Sequence, residues 1–531
     1  MLKLINKTQT PTNFKFLSSE NILQNYMKTN NISKILILFV SFGFFQANAQ
    51  TFLGLQQSNM SGIHQASLNP ANIAGARHKL YINGLTFNAG FNNNYLSLNL
   101  PFPALNILRG TVPAQFKNAS GGLAFQESWL KEKLNGDPKN FNLYLQTRTP
   151  GILYKISKKW SVGLSYKNTF SFQINDVAQP LARLARYGVD SSNGTVAFSG
   201  PNSFNVGQTF GDNAFSINLN AFGEIGGTIA TTLIDNDFMV FKVGATPKLL
   251  IGYATGFVKN NGIVIKAPGS DSIIFGKTDV FYGYTDPKVF QNIGTGAINL
   301  DFLKNKIQGT GFGYDLGATF EYKPKAASLL TNKKNNYLFK VGLSLLDAGS
   351  IRYNNIRTTK IRNTTGDKVF KLDSNFARAW GEGQEQGIKY SDSVVRTIFA
   401  IDTTTQSVFS KMPTTLNLQF DYNVFKWFYV GANISQDFRG KRAIGMRRPS
   451  YATIIPRFES RLFEFSIPMG LMNDYKTGRI GFFTRVGPVF IGSDNIIGQL
   501  KSSNFYGADF YFGISTGIPS KKAKKKPQSN E

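Results

Sequence analysis

The chain has 531 residues, of which 42% are hydrophobic, 14% aromatic and 17% charged, and it contains no cysteine. This composition excludes a disordered polymer, a disulfide scaffold and thiolate chemistry, and beyond position 50 no run of about 18 apolar residues could span a bilayer as a helix. The formal net charge is +28, and the first 49 residues carry five Lys and one Glu, which leaves +24 for the rest. This balance favours anionic partners.

The N-terminal region has the pattern of a secretory signal peptide. After Met27, two lysines precede an apolar run at residues 35–45, and residues 47–49 read Ala-Asn-Ala, a small-x-small cleavage site before Gln50. The run has eleven residues, whereas a transmembrane anchor needs about 20. We therefore expect residues 1–49 to comprise a leader and a signal peptide. Met27 is the expected true start of the protein. An exported basic chain is expected to meet outer-membrane lipid and either lipopolysaccharide phosphates or anionic cell-wall polymers rather than nucleic acid.

Period-two alternation, typical of strands with two different faces, dominates the rest of the chain. In residues 162–175 the even positions are apolar except Asn168, and the odd positions carry only Gly, Ser, Lys, Thr, Gln and Asn. Similar stretches occur near residues 96–100, 215–225, 239–248, 315–322, 339–345 and 416–422, and residues 505–517 form the last candidate strand. A soluble sandwich also alternates, but strands this long favour a membrane barrel with an apolar outer face and a polar lumen. Glu224, Asp315, Glu321 and Asp421 then line the lumen.

Loop lengths predict how the barrel is oriented. Short turns at 157–160, 234–237 and 423–427 alternate with long polar connections, notably 176–213 and 347–413. Outer-membrane barrels place short turns in the periplasm and long loops outside, so Trp160 and Trp427 are expected in the periplasmic aromatic girdle. Residues 125–134 and 177–187 are predicted to be short amphipathic helices.

Two clusters of basic residues are candidates for contact with anionic envelope components. Five of them fall in a predicted outside loop, where lipopolysaccharide phosphates are the natural counter-charge. The others form a basic tail at 518–531, which is either a solvated disordered segment or a docking element for an envelope protein. The residues are Arg439, Lys441, Arg442, Arg447 and Arg448 in the loop and Lys521, Lys522, Lys524, Lys525 and Lys526 in the tail.

Motifs for catalysis fail, so we expect neither an enzyme nor a cofactor. Residues 513–517 fit the G-x-S-x-G pattern but lie in a strand pattern at the end of the chain, where no His can follow. Gly276-Lys277-Thr278 lacks the earlier glycine of a phosphate loop, since Asp271 stands there. With His64 and His78 as the only histidines, no metal site is predicted.

The segment at 62–71, which contains Asn69-Pro70-Ala71, resembles the N-terminal region of the FadL-type long-chain fatty-acid transporter superfamily. GYDLGATFEY at 313–322, VGLSLLDAGSIRY at 341–353 and GPVFIGSDN at 487–495 resemble a Bacteroidetes outer-membrane family, a domain of unknown function, within that superfamily. The resemblance implies an all-β fold, a transmembrane antiparallel barrel of about 14 strands at 78–517, with its lumen plugged by an N-terminal segment at 50–77.

Two functions remain open on these observations. The first is a plugged barrel that admits a hydrophobic or amphipathic small molecule, with Asn69, Pro70 and Ala71 fixing the gate; an apolar pocket is then expected beside the plug. The second is a non-transporting scaffold that docks envelope machinery, such as type IX secretion components, through its loops or its lysine tail.

Overall fold

In the computed structural model, the described residues are 52–519 except 104, 109, 119–120, 188–208, 267–271, 291–306, 324–336, 364–365, 372–373, 426 and 501–503. The predicted signal peptide therefore lies outside the described residues, as does the basic tail.

Fourteen antiparallel strand positions form the wall. They are β1 His78–Asn93, β2 Lys139–Lys155, β3 Trp160–Val177, β4 Thr209–Asp235, β5 Met239–Lys266, β6 Ser272–Tyr284 with Gly309–Tyr322, β7 Phe339–Asn363 with Lys368–Lys371, β8 Thr404–Lys411 with Thr415–Phe425, β9 Phe428–Asp437, β10 Tyr451–Glu459, β11 Phe463–Ser466 with Met469–Met472, β12 Thr477–Ile480 with Phe482–Val486, β13 Val489–Ser493 and β14 Gly507–Pro519.

Five of these strands, β6, β7, β8, β11 and β12, are each made of two segments. The two segments pair with different parts of the same neighbouring strand. In β6, for example, Ser272–Tyr284 pairs with the outer part of β5 and Gly309–Tyr322 pairs with its inner part. Each strand pairs with the next, and β14 pairs with β1 from His78↔Pro519 to Asn92↔Gly507. The sheet is therefore closed, and the predicted barrel of about 14 strands is confirmed.

The two faces of the wall have opposite chemistry. Each of the fourteen strands carries at least one large hydrophobic side chain that is exposed on the outside, such as Leu164 in β3, Leu316 in β6 and Leu343 in β7. Polar side chains of the same strands, such as Gln173 and Asn175, are buried in the lumen. This is the reverse of a soluble sandwich, in which the apolar face is buried, and it defines a transmembrane barrel.

Turn lengths distinguish the two ends of the barrel. At the short-turn end, β2 and β3 are joined by 156–159, β4 and β5 by 236–238, and β12 and β13 by two residues. Both ends of the wall, His78 and Pro519, lie at this end, and Trp160 and Trp427 are exposed there. The connections at the opposite, long-loop end include 94–138 and 438–450.

Other elements occur mostly in the connections of the long-loop end. The helices are α1 Leu53–Gln57, α2 Leu105–Leu108, α3 Gln179–Tyr187, α4 Ser374–Gly381, α5 Gln384–Phe399 and α6 Ile496–Leu500, with 3-10 turns at Gly62–Ser67, Pro70–Gly75, Ala114–Phe116, Glu127–Trp129 and Pro287–Phe290 and a small hairpin of Leu96–Leu98 and Leu130–Glu132. Among the described residues, no helix has the length and apolar character needed to cross a membrane.

Two local predictions need correction. Residues 125–134 do not form a helix, because Leu130–Glu132 pairs with Leu96–Leu98 and only Glu127–Trp129 is helical. The connection at 347–413 is shorter than expected, because β7 continues to Asn363 and β8 begins at Thr404. The side chains there alternate, but the polar ones face water beyond the membrane, so their composition resembles a loop. The helix predicted at 177–187 is confirmed as α3.

The outward position of Leu164 predicts how β3 responds to charge. Replacing Leu164 with Arg should destabilise the refolded barrel in liposomes by about 2–4 kcal/mol, because the charge would enter hydrocarbon. Denaturant unfolding measures the difference, and Leu164→Ala is the matched control for lost apolar area. Equal stability of the two variants would show that this face does not contact lipid.

Candidate functional site

Residues 52–77, which we call the plug segment, lie inside the barrel. The segment contains α1 and two 3-10 turns, and Phe52, Leu55 and Ile73 are completely buried. On one side it packs through apolar contacts, since Phe52 and Leu55 join Phe483, Phe490 and Tyr511 of the wall. A second apolar cluster joins Ile63 and Ile73 to Tyr81, Leu153 and Ala230 of β1, β2 and β4. Against β5, β6 and β7 its contacts are mainly polar.

The Asn69-Pro70-Ala71 tripeptide lies against three glycines, Gly244, Gly317 and Gly342, which we call the glycine seat. A Cβ atom added to Gly317 would be only 2.0 Å from Asn69 Oδ1, and one on Gly342 would be 2.9 Å from Asn69 Nδ2. A Cβ atom on Gly244 would be 2.6 Å from the backbone nitrogen of Ala71. The close approach of the plug to β5, β6 and β7 therefore requires glycine at these positions.

The Asn69 side chain joins the plug segment to the wall. Its Nδ2 donates to the backbone oxygens of Ala318 (3.0 Å) and Leu343 (3.2 Å), and its Oδ1 accepts from Ala71 N (2.9 Å), which caps the 3-10 turn that starts at Pro70. Proline suits this first position because it has no N–H that would need a partner. Each residue of the tripeptide thus has a structural role at the seat.

At the short-turn end, a network of buried ions holds the start of the plug segment. Arg457 pairs with Asp421 and Glu459, and Glu459 accepts from the backbone N of Asn59 in the plug (2.9 Å). Arg77, where the plug joins β1, donates to Tyr429 Oη (3.0 Å) and lies 3.7 Å from Glu459. Pairing offsets the desolvation of these buried charges.

The connection 438–450, which we call the inward loop, folds into the lumen from the long-loop end. It starts at β9 and ends at β10, yet the Ser216 hydroxyl donates to Lys441 O (2.9 Å) and Gln173 Nε2 donates to Arg447 O (2.7 Å), on the opposite wall. Ile444 and Met446 pack in an apolar cluster with Tyr353 and other wall residues. The inward loop therefore closes the lumen above the plug segment.

Between plug segment and inward loop lies a cavity of about 60 Å³. Ligand pockets usually have about 300–1,000 Å³, so the cavity in this state has room for a few water molecules or a small ion but not for a larger solute. Its charged lining consists of four cations, Arg148, Lys167, Lys248 and Arg448, and three carboxylates, Glu224, Asp315 and Asp347. The sequence predicted an apolar pocket beside the plug, whereas this cavity is small and has charged residues in its lining.

The three carboxylates of the cavity are all paired. Lys248 contacts Asp315 (2.7 Å), Asp347 and Glu224, and Lys167 contacts Glu224. Arg448 of the inward loop donates to Asp347 Oδ2 (2.8 Å), so this cluster links the inward loop to β4, β5, β6 and β7. Asp347 is thus the bridge between loop and wall.

His64, in the plug segment, lines the same cavity and is a neutral base. Burial and, to a smaller extent, the positive charge of Arg148 lower the pKa of His64 to about 3. The imidazole is only 2% exposed, and its Nε2 has no hydrogen-bond partner among the described residues. At neutral pH His64 therefore contributes a polar group but no charge.

The structure separates the basic residues predicted to contact the envelope. Arg439 donates to the backbone oxygens of Ile444 and Met446, Arg447 pairs with Asp437 and Asp474, and Arg448 pairs with Asp347. Lys441 and Arg442 are more accessible than the other three basic residues of the loop. Their contact with lipopolysaccharide remains a prediction. Lys521, Lys522, Lys524, Lys525 and Lys526 lie outside the described residues.

The residues that were tested for catalytic or metal-binding roles make contacts that stabilise the fold. Ser515 lies within β14 rather than at a strand-to-helix turn, and its hydroxyl accepts from Tyr81 (2.6 Å). Glu224, Asp315, Glu321 and Asp421 are buried in the lumen as predicted, each paired with Lys or Arg. In the described part of the chain no group of three His, Cys, Asp or Glu side chains could hold a metal ion.

Sequence reasoning missed the cations and glycines that complete the site. Arg148 and Asp347 were not singled out, although Lys248 appeared on a polar strand face. The glycines of the seat lie in alternating stretches, where each is a plain lumen-facing position. These glycines are required because the plug segment, which lies about 175 to 275 residues away in the sequence, packs closely against them. No local sequence signal could reveal that contact.

These features define a class: a 14-strand transmembrane barrel whose lumen is closed by an N-terminal plug segment and an inward loop. The chain matches the family of unknown function DUF5723 over residues 70–494, and it belongs to that family.

Comparison with solved structures gives remote similarities. The toluene transporter TodX of Pseudomonas putida has 8% identity and a TM-score of 0.39, with 87% of this chain and 95% of that chain covered. The toluene transporter TbuX of Ralstonia pickettii has 6% identity and a TM-score of 0.29. A FadL homologue of Pseudomonas aeruginosa has 9% identity and a TM-score of 0.24. In both comparisons 86% of this chain and 94% of the other chain are covered. No curated protein matches the sequence.

The contacts of Asn69 predict a loosened plug when this side chain is removed. Asn69→Ala should destabilise the seated plug segment by about 1–3 kcal/mol, because the cap and both donated bonds are lost. Limited proteolysis of the folded barrel in detergent measures exposure of the plug. Asn72→Ala is the matched control, since among the described residues the Asn72 side chain hydrogen-bonds to the side chains of Gln419 and Thr319 and not to the backbone of the wall. A smaller effect for Asn69 than for Asn72 would contradict the anchoring role.

The low pKa of His64 predicts that acid loosens the plug segment. The seated state keeps its full stability above pH 6.5, the ordinary pKa, and loses it as the pH falls towards 3, because a displaced plug exposes His64 to protonation. Between pH 7.5 and 5.0 the loss should be about 2 kcal/mol. Hydrogen exchange of plug amides, corrected for intrinsic rates, measures it. The His64→Gln variant should lack this part of the pH response, and an unchanged response would contradict the assignment.

Proposed function

We propose that the protein is a gated channel of the outer membrane that passes small amphipathic molecules when the plug segment moves. The short-turn end faces the periplasm in this proposal, as is usual for outer-membrane barrels. The observation that carries it is the closure of the lumen by two segments of the chain itself, with a charged cavity between them.

The polar character of one side of the plug segment supports movement there. At the glycine seat and the cavity, separation exposes hydrogen-bonding and charged groups that water can solvate again, so opening costs less than uncovering an apolar core of equal area. The apolar contacts of Phe52 and Leu55 would keep the other side of the plug attached to the wall. A passage would then form along β5 to β7, where the contacts of the plug with the wall are polar.

The chemistry of the cavity favours an amphipathic solute over a plain hydrocarbon. Seven charged groups line the cavity, and an apolar molecule would desolvate them without compensation. Apolar lining residues such as Ile63 and Leu346 provide surface for an alkyl part. Docking of an envelope protein through the lysine tail remains the alternative prediction.

A reversible disulfide between plug and seat tests the gate. The chain has no cysteine, and a Cβ atom on Gly317 would lie 2.9 Å from Asn69 Cγ, close to the spacing that a disulfide requires. In proteoliposomes that contain Asn69→Cys/Gly317→Cys, oxidation should abolish osmotic swelling in sodium hexanesulfonate, and dithiothreitol should restore it. Wild-type protein should swell under both conditions.

Each single-cysteine variant is the matched control, because it carries the same substitution but cannot form the bond. Equal swelling of the oxidised and reduced double variant, with the disulfide verified by electrophoresis, would show that plug movement at the seat is not the gate. A wild-type protein that passes no hexanesulfonate would contradict the channel itself.

A further inference from the structure

We propose that the cavity between plug segment and inward loop is a binding site for an oxyanion, centred on Arg148. The ligand is either a free inorganic oxyanion or the anionic head of an amphipathic solute. In the second case the inference rests on the proposed channel and identifies the group by which the channel recognises its solute.

The charge of the lining is the first observation. Four cations face three carboxylates, and the only histidine of the lining is neutral. All three carboxylates are paired with Lys167, Lys248 or Arg448. Arg148 makes no ion pair within the described part of the chain, so one positive charge in the lumen is left without a partner of opposite sign.

The contacts of Arg148 position it for a ligand. Its Nε donates to Gln146 Oε1 (2.9 Å), one terminal nitrogen donates to Ser67 Oγ (2.8 Å), and its carbon Cζ lies 4.3 Å from the centre of the Phe52 ring. A guanidinium has five N–H donors, and these two hydrogen bonds use two of them. The plug segment therefore holds Arg148 in place while the remaining donors have no acceptor in the described chain.

Two further polar groups of the lining lack partners. His64 Nε2 and Arg448 Nε are buried and make no hydrogen bond among the described residues. An unsatisfied buried polar group is unfavourable, and an oxyanion can accept from Arg448 Nε and, in the tautomer protonated at Nε2, from His64 at once. A neutral apolar ligand would leave all of them unsatisfied.

The size of the cavity agrees with this chemistry. About 60 Å³ admits a small head group or an inorganic ion but no longer chain, so the tail of an amphipathic solute would need the space that opens when the plug moves. Binding of the head alone is thus compatible with the closed barrel, and it can be measured without any passage.

Titration calorimetry of the full barrel in an uncharged detergent with chloride buffer tests the site. The probes are sodium sulfate, sodium hexanesulfonate and hexanol. We expect at least one of the two anions to bind and hexanol not to bind. Arg148→Gln should weaken anion binding at least about tenfold, because it removes a charged donor, whereas Arg148→Lys should retain part of it.

Arg461→Gln is the matched control, because Arg461 is an exposed cation in a short turn, away from the cavity, and its removal should leave binding unchanged. Heat-modifiable migration on electrophoresis verifies that each variant is folded.

The outcomes separate the two ligand sources. Binding of sulfate and hexanesulfonate with similar affinity indicates a site for free oxyanions, and binding of hexanesulfonate alone indicates recognition of an amphipathic head. Failure of both anions to bind, or equal binding by wild type and a folded Arg148→Gln variant, would overturn the proposal. Because no passage is measured, a loss of gating in the disulfide experiment and a loss of binding here are distinguishable.

Discussion

The hydrogen bonding of the backbone is the constraint on which the rest of this structure depends. In hydrocarbon, each N–H and C=O group must be satisfied within the protein, and a sheet achieves this only when its first strand pairs with its last. The pairing of β14 with β1 meets this requirement. Closure then forces alternate side chains into the lumen, and a ring of fourteen strands is too wide for these side chains to fill alone.

The lumen is therefore filled by other parts of the same chain, and these must match a polar wall. The plug segment does so with a capped 3-10 turn and side-chain amides, and the inward loop does so with backbone oxygens directed at Gln173 and Ser216. Buried ions occur in compensated groups, as with Lys248 and its three carboxylates. In the cavity between plug segment and inward loop, Arg148 is the cation that makes no ion pair with a described residue.

Much of the wall could be predicted from the sequence, because alternation is a local property. In β3 the positions assigned to lumen and lipid are those observed, and the short turns lie where they were expected. The outer half of β7 has the composition of a loop, because its exposed side chains, such as Arg352 and Arg357, are polar, and its apolar ones, such as Tyr353, are buried inside the barrel. The strand number came from the family resemblance rather than from the alternation.

The interior could be predicted only in part. Asn69-Pro70-Ala71 was recognised through a resemblance, and its partners could not be, since the carbonyls of Ala318 and Leu343 are 249 and 274 positions away. Arg447 and Arg448 were expected to face outward because they fall in a long polar connection. Their partners, Asp437, Asp474 and Asp347, determine the opposite orientation, and that pairing depends on the path of the whole loop.

The position of the plug segment at the start of the wall has a consequence for biogenesis. The segment is synthesised before the wall, but the glycine seat exists only after β5, β6 and β7 have paired, so the plug must wait for these contacts. Such distant pairings raise the contact order and slow folding. Seating of the plug is therefore expected late in assembly, after these three strands are in place.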